Sequence, residues 1–431
     1  MFLCLIFTAS FALAVTVELT PNKDNTLYET NLIGLSNGAG QYFFAGRTNQ
    51  TENQLRRGLL SFDISMIPSG STINHVSLEI TPSRTVAGNR TITIHQALTD
   101  WGEENSDAPG EEGPGTEAEI GDATWTNAFL DGAAWTTAGG DFDPVALAST
   151  LATPSNTVSF SSTELIDDVQ RWVDTPTNNF GWVVLGDESE ARTAYRFNTR
   201  ENPDAATRPK LIIDYSLPQI SLNPSKDNTL YETVDGSASN GAGDKIFLGK
   251  PNNGLLRRGV LEFDVSTIPS LAQITSVTLD LTVIDIPGSA LDGEAALHLA
   301  LSEWGEAGSN GNGQGAASQT DDATWIHTFY DTENWNNAGG DFIENPSATS
   351  SFTDQSTNIN FTSTNELIAD VSTWVQDSQN NHGWVLLGDE VNNGNSRSVG
   401  SLDNTTTGNR PTLTIEYFVP EDLIFADGFD Q

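Results

Sequence analysis

Four kinds of side chain in this 431-residue chain could do chemistry, and each occurs in two similar contexts. Carboxylates come first. Glu103, Asp187 and Glu188 have counterparts in Glu306, Asp389 and Glu390. Hydrolysis of a glycan needs two such groups at a set separation, one with a raised pKa. Acids are so abundant, 58 against 19 basic residues, that their presence selects no pair. The sequence contains no H-E-x-x-H stretch and its only cysteine is Cys4, so a non-catalytic protein is expected. His95 and His298 match each other, but each lies in an alternating segment and reads as a hydrogen-bonded strand residue.

Loop oxygens are the second kind. A hard cation needs several of them to converge. The stretch AGGDF places Asp141, and in its second occurrence Asp341, beside flexible glycine carbonyls. Asp187 and Asp389, with Asp122, Glu188, Asp322 and Glu390 nearby in pattern, could complete a structural calcium site in each half. No stretch fits an EF-hand loop, so such a site must be assembled from distant loops. The alternative is turn capping, which Gly-Asp sequences do routinely.

Aromatic and basic residues complete the set. Sugar binding needs open aromatic faces with polar groups around them. Trp172 and Trp374 fall on an apolar helix face, and Trp182 and Trp384 in a central strand, so these four read as core. Trp125, Trp135, Trp325 and Trp335 flank Gly-rich loops and are the better ligand-binding candidates, with a structural role as the alternative. Arg56, Arg57, Arg257 and Arg258 could grip a uronate carboxylate bidentately, or pair with acids on their own strand face such as Asp63 and Asp264. Arg192, Arg196, Arg200 and Arg208 make the first half the more basic near its last strand, where the second keeps Arg397 and Arg410. Arg196 and Arg200 are the arginines expected to meet a ligand, and an acidic glycan is expected to prefer the first half.

The elements that must position these groups are themselves written twice. KDNTLYET begins at Lys23 and again at Lys226, and a shift of about 200 residues aligns RRG, WGE, DATW and AGGDF in unchanged order. GWVVLGDE at Gly181 matches GWVLLGDE at Gly383, RPKLIIDY matches RPTLTIEY, and all ten tryptophans fall into pairs. The chain is therefore a tandem duplication, with expected domains at 15–216 and 217–419, a signal peptide at 1–14 and a tail at 420–431. Within each copy the dominant period is two. Leu60, Phe62 and Ile64 share one face, as do Val76, Leu78 and Ile80. One short helix per copy is expected from the spacing of Leu165, Val169, Trp172 and Val173, and of Leu367, Val371, Trp374 and Val375. Short strands, Gly-rich turns and a single helix predict an all-β fold of two tandem β-sandwich domains, jelly-roll-like.

The order D-x-T-L-Y-E, RRGLLSFDIS-x-IP, W-G-E, A-T-W, N-x-G-W and a last strand after Arg-Pro resembles the DNRLRE domain family, the disaggregatase-related repeats of secreted and cell-surface proteins. The resemblance covers about Asp24 to Tyr215 and Asp227 to Tyr417. FNTREN at Phe197 matches the family's F-x-S-R-E signature except at Thr199, while VGSLDN at Val399 lacks the arginine. The family implies a jelly-roll sandwich and, in some relatives, carbohydrate binding beside polysaccharide-degrading enzymes; others serve in adhesion. A formal charge of −39 opposes nucleic acid and anionic membrane surfaces, and after the leader no stretch approaches eighteen apolar residues. The expected function is a secreted, non-catalytic protein binding extracellular polysaccharide or a cell-surface component, with no membrane insertion. A structural or adhesive surface protein without a glycan site is the main alternative, and a polysaccharide-degrading enzyme the third.

Overall fold

The computed structural model describes residues 14–30, 34–52, 54–288 and 291–420. The expected signal peptide, apart from its final residue, and the expected tail from residue 421 lie outside them. The fold is all-β, and the chain divides into two compact units between Leu217 and Pro218.

In the first domain a four-stranded antiparallel sheet runs in the order Val15–Leu19, Lys210–Ser216, Thr72–Ile80 and Val158–Phe160. A larger antiparallel sheet orders Ala148–Ala152, Arg90–Gln96, Trp182–Leu185, Leu55–Ser61, Tyr42–Arg47, Tyr195–Asn198 and Pro82–Thr85, and the first KDNTLY strand, Lys23–Tyr28, also pairs with Leu55–Ser61. Alternation decides what lies between the sheets. Val76, Leu78 and Ile80 come from one side and Phe43, Ala45 and Leu60 from the other, all buried in one core. A helix, α1 (Thr163–Asp174), packs Leu165, Val169 and Trp172 into that core; Ser162 caps it, accepting the Leu165 amide at 3.0 Å.

The second domain builds its sheets from the matching residues. Lys226–Tyr231, Arg257–Glu262, Trp384–Leu387, Gly293–Leu299 and Ala348–Phe352 form one, and Gln219–Leu222, Thr412–Phe418, Gln273–Asp285, Arg397–Gly400 and Lys245–Leu248 run through the other. Its helix, α2 (Asn365–Gln376), is capped by Thr364. One difference has a plain cause. Gln273–Asp285 is a single 13-residue strand where the first domain has Thr72–Ile80 and Pro82–Thr85, because proline has no N–H for the ladder and Val283 stands in its place.

Beneath the sheet that holds the KDNTLY strand in each domain is a second, smaller core. Trp101, Trp125 and Trp135 form it with Leu27 and Val183, and Trp304, Trp325 and Trp335 form it with Leu230 and Val385.

Candidate ligand-binding site

Strand register assembles a basic surface on the first domain. Phe44 stands opposite Arg196, and Arg196 opposite Arg84. Phe43, Tyr195 and Phe197 point into the core, so Tyr42, Phe44 and Arg196 leave the sheet on the other face. The Arg196 guanidinium lies 3.7 Å from the centre of the Tyr42 ring, and its Nε donates to Ser83 Oγ at 2.9 Å. Its Nη1 reaches Glu111 Oε2 at 2.5 Å, and Arg84 Nη1 reaches the same oxygen at 2.6 Å.

Like charges placed directly opposite destabilise a strand pair. Here one carboxylate, 67% exposed, draws both guanidiniums together. Hydrogen bonding and charge from Arg84, with the charge of Arg196, hold Glu111 below the usual carboxylate range. Two guanidiniums converging on one accessible carboxylate is the geometry of charge-assisted anion recognition. A hollow of about 370 Å³ lined by Arg47, Thr48, Asn49, Val86, Arg192 and Ala194 adds two more arginines. Arg47 bonds the Gln54 side chain and the Glu188 carbonyl. Among the described residues neither Arg47 nor Arg192 has a carboxylate partner.

The second domain keeps the shape of this face and changes its charge. Phe247, Ser398 and Asp285 occupy the three positions. Lys245 pairs with Asp285 at 2.9 Å, and Ser398 Oγ donates to the same carboxylate at 2.9 Å. A hollow of about 290 Å³ lies there, lined by Phe247, Pro251, Arg257, Ile286 and Pro287 among others.

The four tryptophans expected to meet a ligand do not do so through open faces. Trp125 and Trp135 are 9% and 7% exposed, and Trp325 and Trp335 are 8% and 5%. They are core, because the Gly-rich loops they flank fold back over them: Gly139 N donates to Trp125 O, and Trp135 Nε1 to Thr124 O at 2.8 Å. Arg57 does not pair with Asp63, nor Arg258 with Asp264. Arg57 grips Glu188 with two bonds, at 2.8 and 3.0 Å, and Arg258 grips Glu390 in the same way. Asp63 and Asp264 instead cap Ser65 and Ser266.

Arg200 turns away from the basic face. Its Nη2 reaches Glu103 at 2.5 Å and its Nε reaches Glu201 at 3.0 Å. Of the expected arginines, Arg196 alone joins the row.

The acids proposed for calcium stay in their own turns. Asp141 accepts the amides of Thr136 and Thr137, at 2.8 and 2.9 Å, and Asp341 accepts those of Asn336 and Asn337 together with their side-chain amides. Asp187 bonds the Ser189 amide and hydroxyl, and Asp389 bonds Val391, Asn392 and Asn395. Among the described residues no group of three or more His, Cys, Asp or Glu is placed to hold a metal ion. Asp24 and Glu103 are neighbouring acids, and the Asp24 backbone N donates to Glu103 Oε1 at 2.8 Å. Burial pushes Glu103 up to about 7, yet its side chain is only 5% exposed, which leaves no room for a substrate.

Tyr42, Arg84 and Glu111 are the members of the basic face that sequence reasoning missed. Period-two alternation around the buried Phe43 was the available signal for Tyr42; Glu111 sits in a loop whose path no local pattern gives. No protein-family model matches the chain, and comparison with curated proteins gives no match.

Proposed function

We propose that this chain is a secreted, non-catalytic binding protein for extracellular polysaccharide or another cell-surface component, made of two DNRLRE-like sandwiches. The first domain takes acidic sugars and the second takes neutral ones. The observation that carries this reading is the convergence of Arg84 and Arg196 on one exposed carboxylate beside Tyr42 and Phe44. A uronate offers the same planar anion on a ring whose apolar face suits an aromatic neighbour. Glu111 stands where that carboxylate would bind, and its exposure lets it swing aside at small cost.

The remaining acids favour binding over catalysis. Glu188 and Glu390 are held by arginines, and Glu103 is shielded from solvent. In the second domain Phe247 and Asp285 line a hollow in which Asp285 pairs with Lys245, and the arginines of that wall, Arg257 and Arg397, are buried.

A glycan array probed with the full chain, with and without calcium, tests the proposal. Retention on polyuronates that Arg84→Ala/Arg196→Ala abolishes is the expected result. Retention on no glycan would leave the structural or adhesive reading in its place.

A further inference from the structure

Asp24 and Asp227 hold the same place in the two KDNTLYET strands, and both are completely buried. Asp24 Oδ2 accepts the Arg200 amide at 2.9 Å and Asp227 Oδ2 accepts the Leu402 amide at 2.6 Å; the Oδ1 of each has no hydrogen-bond partner. Glu103 and Glu306 are their acidic neighbours, and Glu201 and Asp403 bring a third carboxylate. The copies differ in counter-charge. Arg200 bonds Glu103 and Glu201 in the first domain, and the second has Leu402 at that position.

The other charged groups around the second cluster do not make up the deficit. Lys226 faces Glu306, but its Nζ is held by Glu262 at 2.9 Å and Glu303 at 2.5 Å. His382 is bonded to Glu303 at 3.1 Å, and Asp322 adds a further acid facing Glu306. A buried carboxylate with neither counter-charge nor a full set of donors is costly as an anion and is relieved by taking up a proton.

We propose that Asp227 and Glu306, with Asp403 as a neighbouring charge, form a proton-binding switch that tightens the second domain on mild acidification. Burial, with the neighbouring acids, raises Asp227 well above its ordinary value and Glu306 to about 7. Glu103 is raised to about 7 as well, so the first domain shares the response, moderated by the guanidinium that neutralises one of its three acids. The sign follows from linkage. A glutamate in an unfolded chain titrates near ~4.3, so between that pH and about 7 the folded domain holds a proton that the unfolded chain has lost. The stability this proton supplies is complete at the acid end, declines as the pH rises through the window, and is gone above about 7.

Calorimetry of the full chain at several values between about pH 5.5 and about pH 8 tests this, with proteolysis and mass spectrometry assigning the transition of the second domain. The expected result is a midpoint that falls by several degrees as the pH rises, with most of that slope lost in Glu306→Gln and part of it lost in Leu402→Arg. Relief of general charge repulsion is common to all three proteins and leaves their difference untouched. If Glu306→Gln fails to fold, Leu402→Arg decides. Both variants keeping the parent slope would overturn the proposal. So would calcium restoring the acid-side midpoint at about pH 8, since the cluster would then be a cation site.

Discussion

Arg57 and Arg258 each lie under a loop, bonded to a glutamate more than a hundred residues away and to a glycine carbonyl, Gly139 or Gly339. Removing Glu188 or Glu390 leaves a partly buried guanidinium without its carboxylate. Glu188→Ala should therefore cost roughly 2 kcal/mol, less than the ~3–5 kcal/mol of a fully buried pair, read as a shift in denaturant midpoint at constant slope. Asp141 makes a different prediction. Its carboxylate ties two amides of its own loop, so Asp141→Ala should lose about 1–2 kcal/mol, by the same amount in calcium and in chelator. A loss confined to calcium-containing buffer would put a metal at this loop after all.

At the scale of elements, the strands and helices were legible because burial imposes a period. Leu78 and Ile80 alternate toward the core, and Leu165, Val169 and Trp172 recur at helical spacing. The pairing of distant loops was not legible, since nothing local to Arg57 names Glu188, 131 positions on. The same limit misplaced Trp125 and Trp135: a tryptophan beside glycines reads as accessible until the loop is known to close over it. The N-x-G-W stretch shows how a motif can be wholly structural. Asn179 Nδ2 donates to Phe62 O at 2.8 Å, and Gly181 has φ +74° with room for no Cβ, which would meet Leu60 O at 2.1 Å. Gly383 has the same strain, φ +69° and 1.9 Å to Leu261 O. Gly181→Ala and Gly383→Ala should each cost at least about 1–2 kcal/mol from the left-handed backbone alone, with the backbone clash adding to it. A thermal melt within error of the parent would contradict this account of the motif.

For the whole molecule, −39 formal charges set a field that opposes any acidic polymer. At physiological salt that field is screened beyond roughly 8 Å, so the contact of Arg84 and Arg196 with a bound carboxylate decides the outcome. The most direct measurement is isothermal titration of the full chain with a uronate oligosaccharide and with a neutral one of equal length, at low and at high salt. Binding of the uronate should weaken as salt rises and fall by at least about tenfold, roughly 1.4 kcal/mol, in Arg84→Ala/Arg196→Ala, while the neutral oligosaccharide binds with little dependence on either. Uronate binding that ignores both salt and the double substitution, or no binding of either sugar, would contradict the account.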